Sequence, residues 1–162
     1  MSQTSVAEQG AAFAGMKGDS RYDMVSSVVA EGEVGFGKFV SHGTDPEKQG
    51  LLPSTAAEIT NPKVGHGIAL QSHGMESSLS GDPKYADKAM MSCLRRGSVY
   101  VKVEEAVALT DDVYVRYAAG GDGLGSFRAS DPGSAAAILP GAKYVKAAGA
   151  GELAKVEFNI EG

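Results

Sequence analysis

The sequence predicts an all-β fold: a β-sandwich or barrel, jelly-roll-like, of short antiparallel strands with an extended N-terminal arm. Three observations predict it. Apolar and polar residues alternate with period two in several runs, which puts one set of side chains on each face of a pleated strand. Glycine accounts for 22 of the 162 residues, about twice its usual ~7%, and glycine is unfavourable inside helices and strands, so many turns follow. The apolar runs are short and recur at about 8–12-residue spacing with turn signals between them, the pattern of sandwiches and barrels. No long amphipathic helix is visible.

The elements follow in order. Residues 1–20, MSQTSVAEQGAAFAGMKGDS, are small, polar and punctuated by glycine. They show no apolar period, so the segment is expected to be a flexible arm ahead of a single β-domain over residues 21–162. Phe13 and Met16 are its large apolar side chains. From Arg21 the pattern turns β-like, with Val25, Val28 and Val29 as the first apolar run. Val34 to Val40 alternates glycine with Phe36 and then continues apolar; glycine within a strand marks a bulge or a close backbone approach. Ser41 to Leu52 is expected to be a loop around Asp45-Pro46. Ser54 to Thr60 lies between prolines and fits either a helical turn or an edge strand.

His66 to Ser72 reads as a strand, and Gly74 to Pro83 as a polar loop. Ala89 to Leu94 is apolar and is expected to be a strand, with Arg95-Arg96-Gly97 turning the chain into the next one. The segment Ser98 to Tyr117 organises the chain. Val99, Val101 and Val103 alternate with Tyr100, Lys102 and Glu104; Val113, Val115 and Tyr117 alternate with Asp112, Tyr114 and Arg116. Thr110 and Asp111 favour a turn between them. The pattern predicts a β-hairpin with Val101 and Val115 inward on adjacent strands, and with Lys102, Glu104, Asp112 and Arg116 at wet edges. Residues 118–126, AAGGDGLGS, form a glycine loop, and 130–134 (SDPGS) is a strong turn signal. Closing strands are expected over 135–139, 142–147 and 153–160, the last with Ala154, Val156, Phe158 and Ile160 on one face.

Composition narrows the function. The formal net charge is −5, whereas a duplex-binding protein presents a basic face to phosphate; no nucleic-acid partner is expected. No apolar stretch approaches the ~18 residues of a membrane helix, and the N-terminus lacks the pattern of a signal peptide; no membrane partner is expected. A single cysteine, Cys93, allows no internal disulfide and no cysteine-based zinc cluster, and its apolar setting suits a buried, inert thiol. His42, His66 and His73 lie in different segments without metal-ligand spacing. The glycine loop lacks the phosphate-loop lysine and the dinucleotide fingerprint. Glu104 and Glu105, if on a strand, point to opposite faces and do not share an ion. No catalytic, cofactor or metal constellation emerges, so the chain is expected not to be an enzyme.

Five motifs, in this order, resemble the structural cement (capsid decoration) proteins of tailed bacteriophages. Gly15 to Ser20 is similar to that family's entry into its first strand. Val34 to Val40 followed by Gly43-Thr44-Asp45 is similar to its next strand and loop. Gly97 to Val107 resembles its central G-x-V-x-V-x-V-E-x-A-V pattern, and Asp112 to Arg116 the strand that follows, with Asp111-Asp112 where relatives carry Gly-Asp. Leu139 to Tyr144 and Ala150 to Ala154 resemble its C-terminal end. The resemblance implies a non-enzymatic virion protein, made in the host bacterial cytoplasm, that needs no cofactor. It implies binding to the assembled major capsid protein from outside, and association with copies of itself as a dimer or trimer. Phe13 and Met16, with Arg21 and Tyr22 where the arm meets the domain, are the expected contacts to capsid or neighbouring subunit. The alternatives are another virion component, in the tail or at head completion, and a carbohydrate-binding β-domain. The scarcity of aromatics, 7% with no Trp, disfavours the latter.

Overall fold

A computed structural model describes residues 12–18, 23–72 and 84–161. The chain is all-β, as its alternation predicts. Its strands are β1 (Met24–Ala30), β2 (Val34–Gly35), β3 (Phe39–His42), β4 (Gln49–Leu51), β5 (Gly65–Ala69), β6 (Lys84–Tyr85), β7 (Met90–Lys102), β8 (Tyr114–Arg116), β9 (Phe127–Arg128), β10 (Ala136–Ile138), β11 (Ala142–Lys146) and β12 (Leu153–Asn159). One short helix, α1 (Ala56–Thr60), sits between β4 and β5. Ser54 to Thr60 is therefore the helical turn rather than the edge strand. Glu58 selects it, accepting hydrogen bonds from Ser54 N (2.6 Å) and Thr55 N (2.7 Å) at the helix start.

Five strands close a barrel. β1 pairs with β4 in parallel, β4 with β3, β3 with β5, β5 with β7, and β7 returns to β1, the last four pairings antiparallel. Closure leaves no free edge around the ring. The interior is narrow and filled by small and medium side chains: Val28, Ala30, Val40, Ala69, Met91 and Cys93. Gly50 on β4 is part of that fit. A Cβ there would lie 2.6 Å from Val40 Cγ1 and 2.7 Å from Met91 Cε, so the barrel has no room for one more carbon. The two-stranded ribbon β2–β6 adds Val34, Phe36 and Tyr85 to the same cluster; Phe36 meets Tyr85 edge to face at 5.0 Å.

β12 and β11 extend the sheet beyond the C-terminal half of β7, and β10-β8-β9 forms a separate three-stranded sheet. Between them lies a larger core of Val99, Val101, Val103, Val113, Val115, Phe127, Ala154, Val156 and Phe158. The barrel-wall residues Phe39, Ile68 and Leu94 also join it. The inward face assigned to β12 holds: Ala154, Val156, Phe158 and Ile160 are all buried.

β7 differs from the sequence expectation, and the difference shapes the fold. Arg95-Arg96-Gly97 does not turn the chain; the strand runs through it for 13 residues. A register shift against β1, where Met24 faces Arg96 but Val25 faces Leu94, leaves Arg95 as an extra residue. Gly97 takes φ +135, with Asp23 and Leu94 against it, a conformation and a closeness that favour glycine. The bulge changes the phase of the strand. Met91 and Cys93 face the barrel interior, whereas Leu94, Val99 and Val101 all serve the larger core.

The hairpin expected over Ser98 to Tyr117 does not form. β7 pairs with β1, β5 and β12, while β8 pairs with β9 and β10. Val101 and Val115 are both fully buried in one core, but they reach it from two sheets instead of adjacent strands. The run Val34 to Val40 breaks at Gly37 (φ +77) into β2 and β3, and the loop expected over 41–52 contributes residues to β3 and the whole of β4.

Candidate functional site

The described part of the arm is stitched to the domain. Gly15 N donates to Tyr100 O, Tyr100 N to Met16 O and Gly18 N to Ser98 O, each at 2.8 Å. Lys17 thereby forms an antiparallel bridge with Val99. Gly15 also accepts from Gln71 N, and it sits so close to that backbone, at φ +81, that a side chain would collide. Lys17 Nζ lies 2.7 Å from Asp23. These bonds occupy the edge of β7 opposite β12, whose Ala154 and Val156 face Val101 and Val99.

This placement brings two of the four expected contact residues to one surface. Phe13 is 43% exposed. Met16 is half-buried and lines a groove of about 440 Å³ with Val25, Leu70 and Ser92. Val25 is itself exposed on the outer wall of the barrel, as are Met24 and Met90. Arg21 and Tyr22 lie outside the described residues, as does the whole of the loop expected over 74–83.

Beside the arm lies the outer face of the β7–β12–β11 sheet, where Gly18 packs against Lys155 and Ser98. Alternation with the buried Val99, Val101, Ala154 and Val156 turns Tyr100, Lys102, Leu153, Lys155 and Glu157 outward. On β11, Lys143 stands opposite Glu157 and Lys146 opposite Lys155. The Lys146 ammonium lies 5.6 Å from the centre of the Tyr100 ring.

A second feature was not legible in the sequence. Glu104 and Arg116, expected at wet edges, have side chains only 6% and 8% exposed. Arg116 holds Glu104 in a two-pronged pair, Nε to Oε1 and Nη2 to Oε2, both 2.8 Å. Arg128 adds Nη1 to Glu104 Oε2 at 2.8 Å and places Nη2 3.4 Å from Glu105. Glu104 and Glu105 therefore do share one cation, a guanidinium, because β7 ends at Lys102 and strand alternation no longer separates them. Glu104 Oε1 also accepts from Asp122 N. Burial pushes the Glu104 carboxyl up, and the bonds from Arg116, Asp122 and Arg128 more than reverse it, holding the group below its ordinary range.

This node anchors the glycine loop 118–126. Gly121 presses on Glu104 with no space for a Cβ, and Lys38 Nζ reaches Asp122 O (2.9 Å) and Ser126 Oγ. The loop is a built part of the structure rather than a loose connection. The signal for the node is faint: Arg116 reads as an outward residue of a hairpin until the strand is seen to be covered.

Among the described residues, Cys93 and His66 are buried and His42 is half-buried. Cys93 is fully buried and its thiol is pushed up to about 12 by that burial. His42 and His66 pack with ring centres 4.5 Å apart and planes tilted by 48°, and His66 Nε2 lies 2.8 Å from Gln49 O. Burial holds both imidazoles below their ordinary value. No group of three or more His, Cys, Asp or Glu among the described residues is arranged to hold a metal ion, and no described helix is long and apolar enough to cross a membrane.

Comparison with known proteins agrees with this architecture. A solved chain from "The capsid of Myoviridae Phage XM1" superposes with a TM-score of 0.70 at 19% identity, over 90% of this chain and 89% of that one. At that identity the likeness is one of fold. No curated protein sequence matches significantly. The phage family described as "Structural cement protein (E217 gp24/Pam3 gp6)" matches residues 2–159, nearly the whole chain. The chain therefore belongs to the structural cement protein family of phages, virion proteins that stabilise the capsid.

Proposed function

We propose that this protein binds the outer surface of the assembled major capsid protein lattice and stabilises the head, without catalysing a reaction. It is made in the host cytoplasm and acts on the virion as a homo-oligomer, a dimer or trimer. The family match over residues 2–159 carries this reading. In it, residues 1–20 serve as an arm reaching from the single β-domain of residues 21–162. Phe13 and Met16, with Arg21 and Tyr22, contact capsid or a neighbouring copy. The exposure of Phe13 and the groove beside Met16 support that role. Large apolar anchors seated in partner pockets carry a disproportionate share of binding energy.

The test is co-sedimentation of purified protein with undecorated capsids, with melting temperature measured alongside. Because residues 15–18 are hydrogen-bonded into the domain, the informative variant is full-length Phe13→Ala/Met16→Ala. It should melt close to wild type and bind capsids about tenfold more weakly or worse. Unchanged affinity would confine the interface to the β-domain. Electron microscopy of decorated heads checks the location: density over capsomer junctions across the shell is expected, and density only at a tail or vertex would overturn the reading. Sedimentation velocity reads the oligomeric state.

A further inference from the structure

We propose that His42 and His66 form a pH-sensitive clasp, which holds β4 in the barrel while both rings are neutral and releases it in mild acid. The clasp is a property of the barrel and does not depend on the cement reading.

Two irregularities bring the groups together. β3 and β5 shift register between Val40 and Ser41: Val40 faces Gly67 but Ser41 faces Gly65, which leaves His66 as an extra residue on β5. A bulge of this kind re-aims a side chain. His66 is buried, and its Nε2 meets Gln49 O of β4 at 2.8 Å. A carbonyl only accepts, so the ring carries its proton on Nε2. His42 ends β3 and stands opposite Gly50, the next residue of β4. The other irregularity is the β7 bulge. Gly67 of β5 lies against Leu94 O and Arg95 N of that bulge, and the Arg95 charge acts on both rings. Three groups able to carry positive charge therefore meet at one corner of the barrel, from β3, β5 and β7.

Nothing nearby neutralises them. β4 and β1 carry no charged residue. The connection from β3 to β4 carries Asp45, Glu47 and Lys48, with Asp45 facing Lys48 at 3.8 Å, and Glu31 is bonded to Thr44. Among the described residues, no carboxylate is a partner of either ring. Burial first, and then Arg95, hold His42 below its ordinary value. Burial does the same to His66 against the Gln49 bond, with His42 and Arg95 adding to the depression. Both rings are thus neutral at pH 7 and charge as the medium is acidified below 6.5. Two imidazolium rings 4.5 Å apart beside a guanidinium repel, and the buried one has no counter-charge.

β4 is the element that yields. It is the shortest strand of the barrel, with three residues, and it pairs with β1 and with β3 over two positions each. Its pairing with β1 is parallel, slightly less stable per residue than an antiparallel one. Gln49 O fastens it, accepting from Gly43 N at 2.9 Å and from His66 Nε2. β7, by contrast, is laddered to β1, β5 and β12.

Amide hydrogen exchange at about pH 7.5 and about pH 5.0, corrected for the rates of free amides, reads the clasp, because histidine changes charge over that range while ordinary carboxylates stay ionised. Val29 N, Glu31 N and Gly43 N report on β4, since they donate to Lys48 O, Gly50 O and Gln49 O. Val107 N and Leu139 N, which bond Ala148 O and Val113 O, report on the rest of the domain. In acid the β4 reporters should lose about tenfold or more of their protection, and the distant pair less than about threefold. His42→Gln/His66→Gln should hold β4 protection within about threefold between the two conditions. His73→Gln, which removes the third histidine, should behave as wild type. If the double variant melts far below wild type at neutral pH, the half-buried His42→Gln alone carries the test and should cut the acid loss by about threefold or more. Unchanged β4 protection in acidified wild type, an equal loss in both sets of amides, or a loss that survives the histidine variants would overturn the proposal.

Discussion

Replacing Arg116 by Met removes the two-pronged partner of a buried carboxylate and keeps most of the side-chain volume. Glu104 is left with Arg128 Nη1 and Asp122 N. Removing one partner of a buried ion pair costs about 3–5 kcal/mol, because the other charge stays desolvated. The two remaining donors reduce that cost, so we expect about 2–4 kcal/mol. A domain of this size melts about 2–4 °C lower per kcal/mol, which gives a shift of about 5–15 °C at pH 7. The pH dependence supplies an internal check. The Glu104 carboxyl is depressed in the folded state from its ordinary 4.5, so its contribution is present above that pH and is lost as pH falls through the folded value. The gap between wild type and Arg116→Met should therefore narrow in acid below about pH 4.5. Calorimetry at pH 7 and in acid measures both. Amide exchange at Asp122 should also quicken, since its N–H bonds the carboxylate that Arg116 positions. A variant melting within about 2 °C of wild type at pH 7, or a gap that holds constant in acid, would refute the account.

Other outcomes test the rest of the fold. Val101→Asp places an unpaired carboxylate in the larger core and should leave little folded protein, whereas Lys102→Ala on the opposite face should change stability by about 0.5 kcal/mol or less; similar melting shifts would show the facing to be wrong. Gly50→Val should destabilise the barrel by about 1–3 kcal/mol or more, because Val40 and Met91 already fill the space; an unchanged melting temperature would mean the interior has slack. His42 and His66 have folded values depressed from 6.5, so stability should be full above that pH and fall as the medium is acidified below it, and His66→Gln should flatten that slope in melts across the range. Cys93 should react with a thiol reagent only on unfolding, with capsid binding the same under reducing and oxidising conditions; rapid labelling of native protein would contradict its burial.

The strands themselves were legible in the sequence where one face is buried and the other wet. In β12 the alternation of Ala154, Val156, Phe158 and Ile160 with polar residues depends only on local pleat geometry, and the same holds for Val99, Val101 and Val103. The all-β class and the ordered motifs of the family were legible for the same reason. What each strand pairs with was not. The apparent hairpin of Ser98 to Tyr117 has a turn signal and two matching strands, yet β7 finds its partners in β1, β5 and β12. Sequence neighbours pair only when no distant strand offers a better apolar face, and that comparison exists only in three dimensions. Arg95-Arg96-Gly97 reads locally as a turn, and only the pressure of Asp23 and Leu94 on Gly97 makes it a bulge inside one long strand. Arg116 and Glu104 look wet because charge is expensive to bury. The tertiary structure reverses that reading by bringing residues 104, 116, 122 and 128 together, where each group compensates the desolvation of the next.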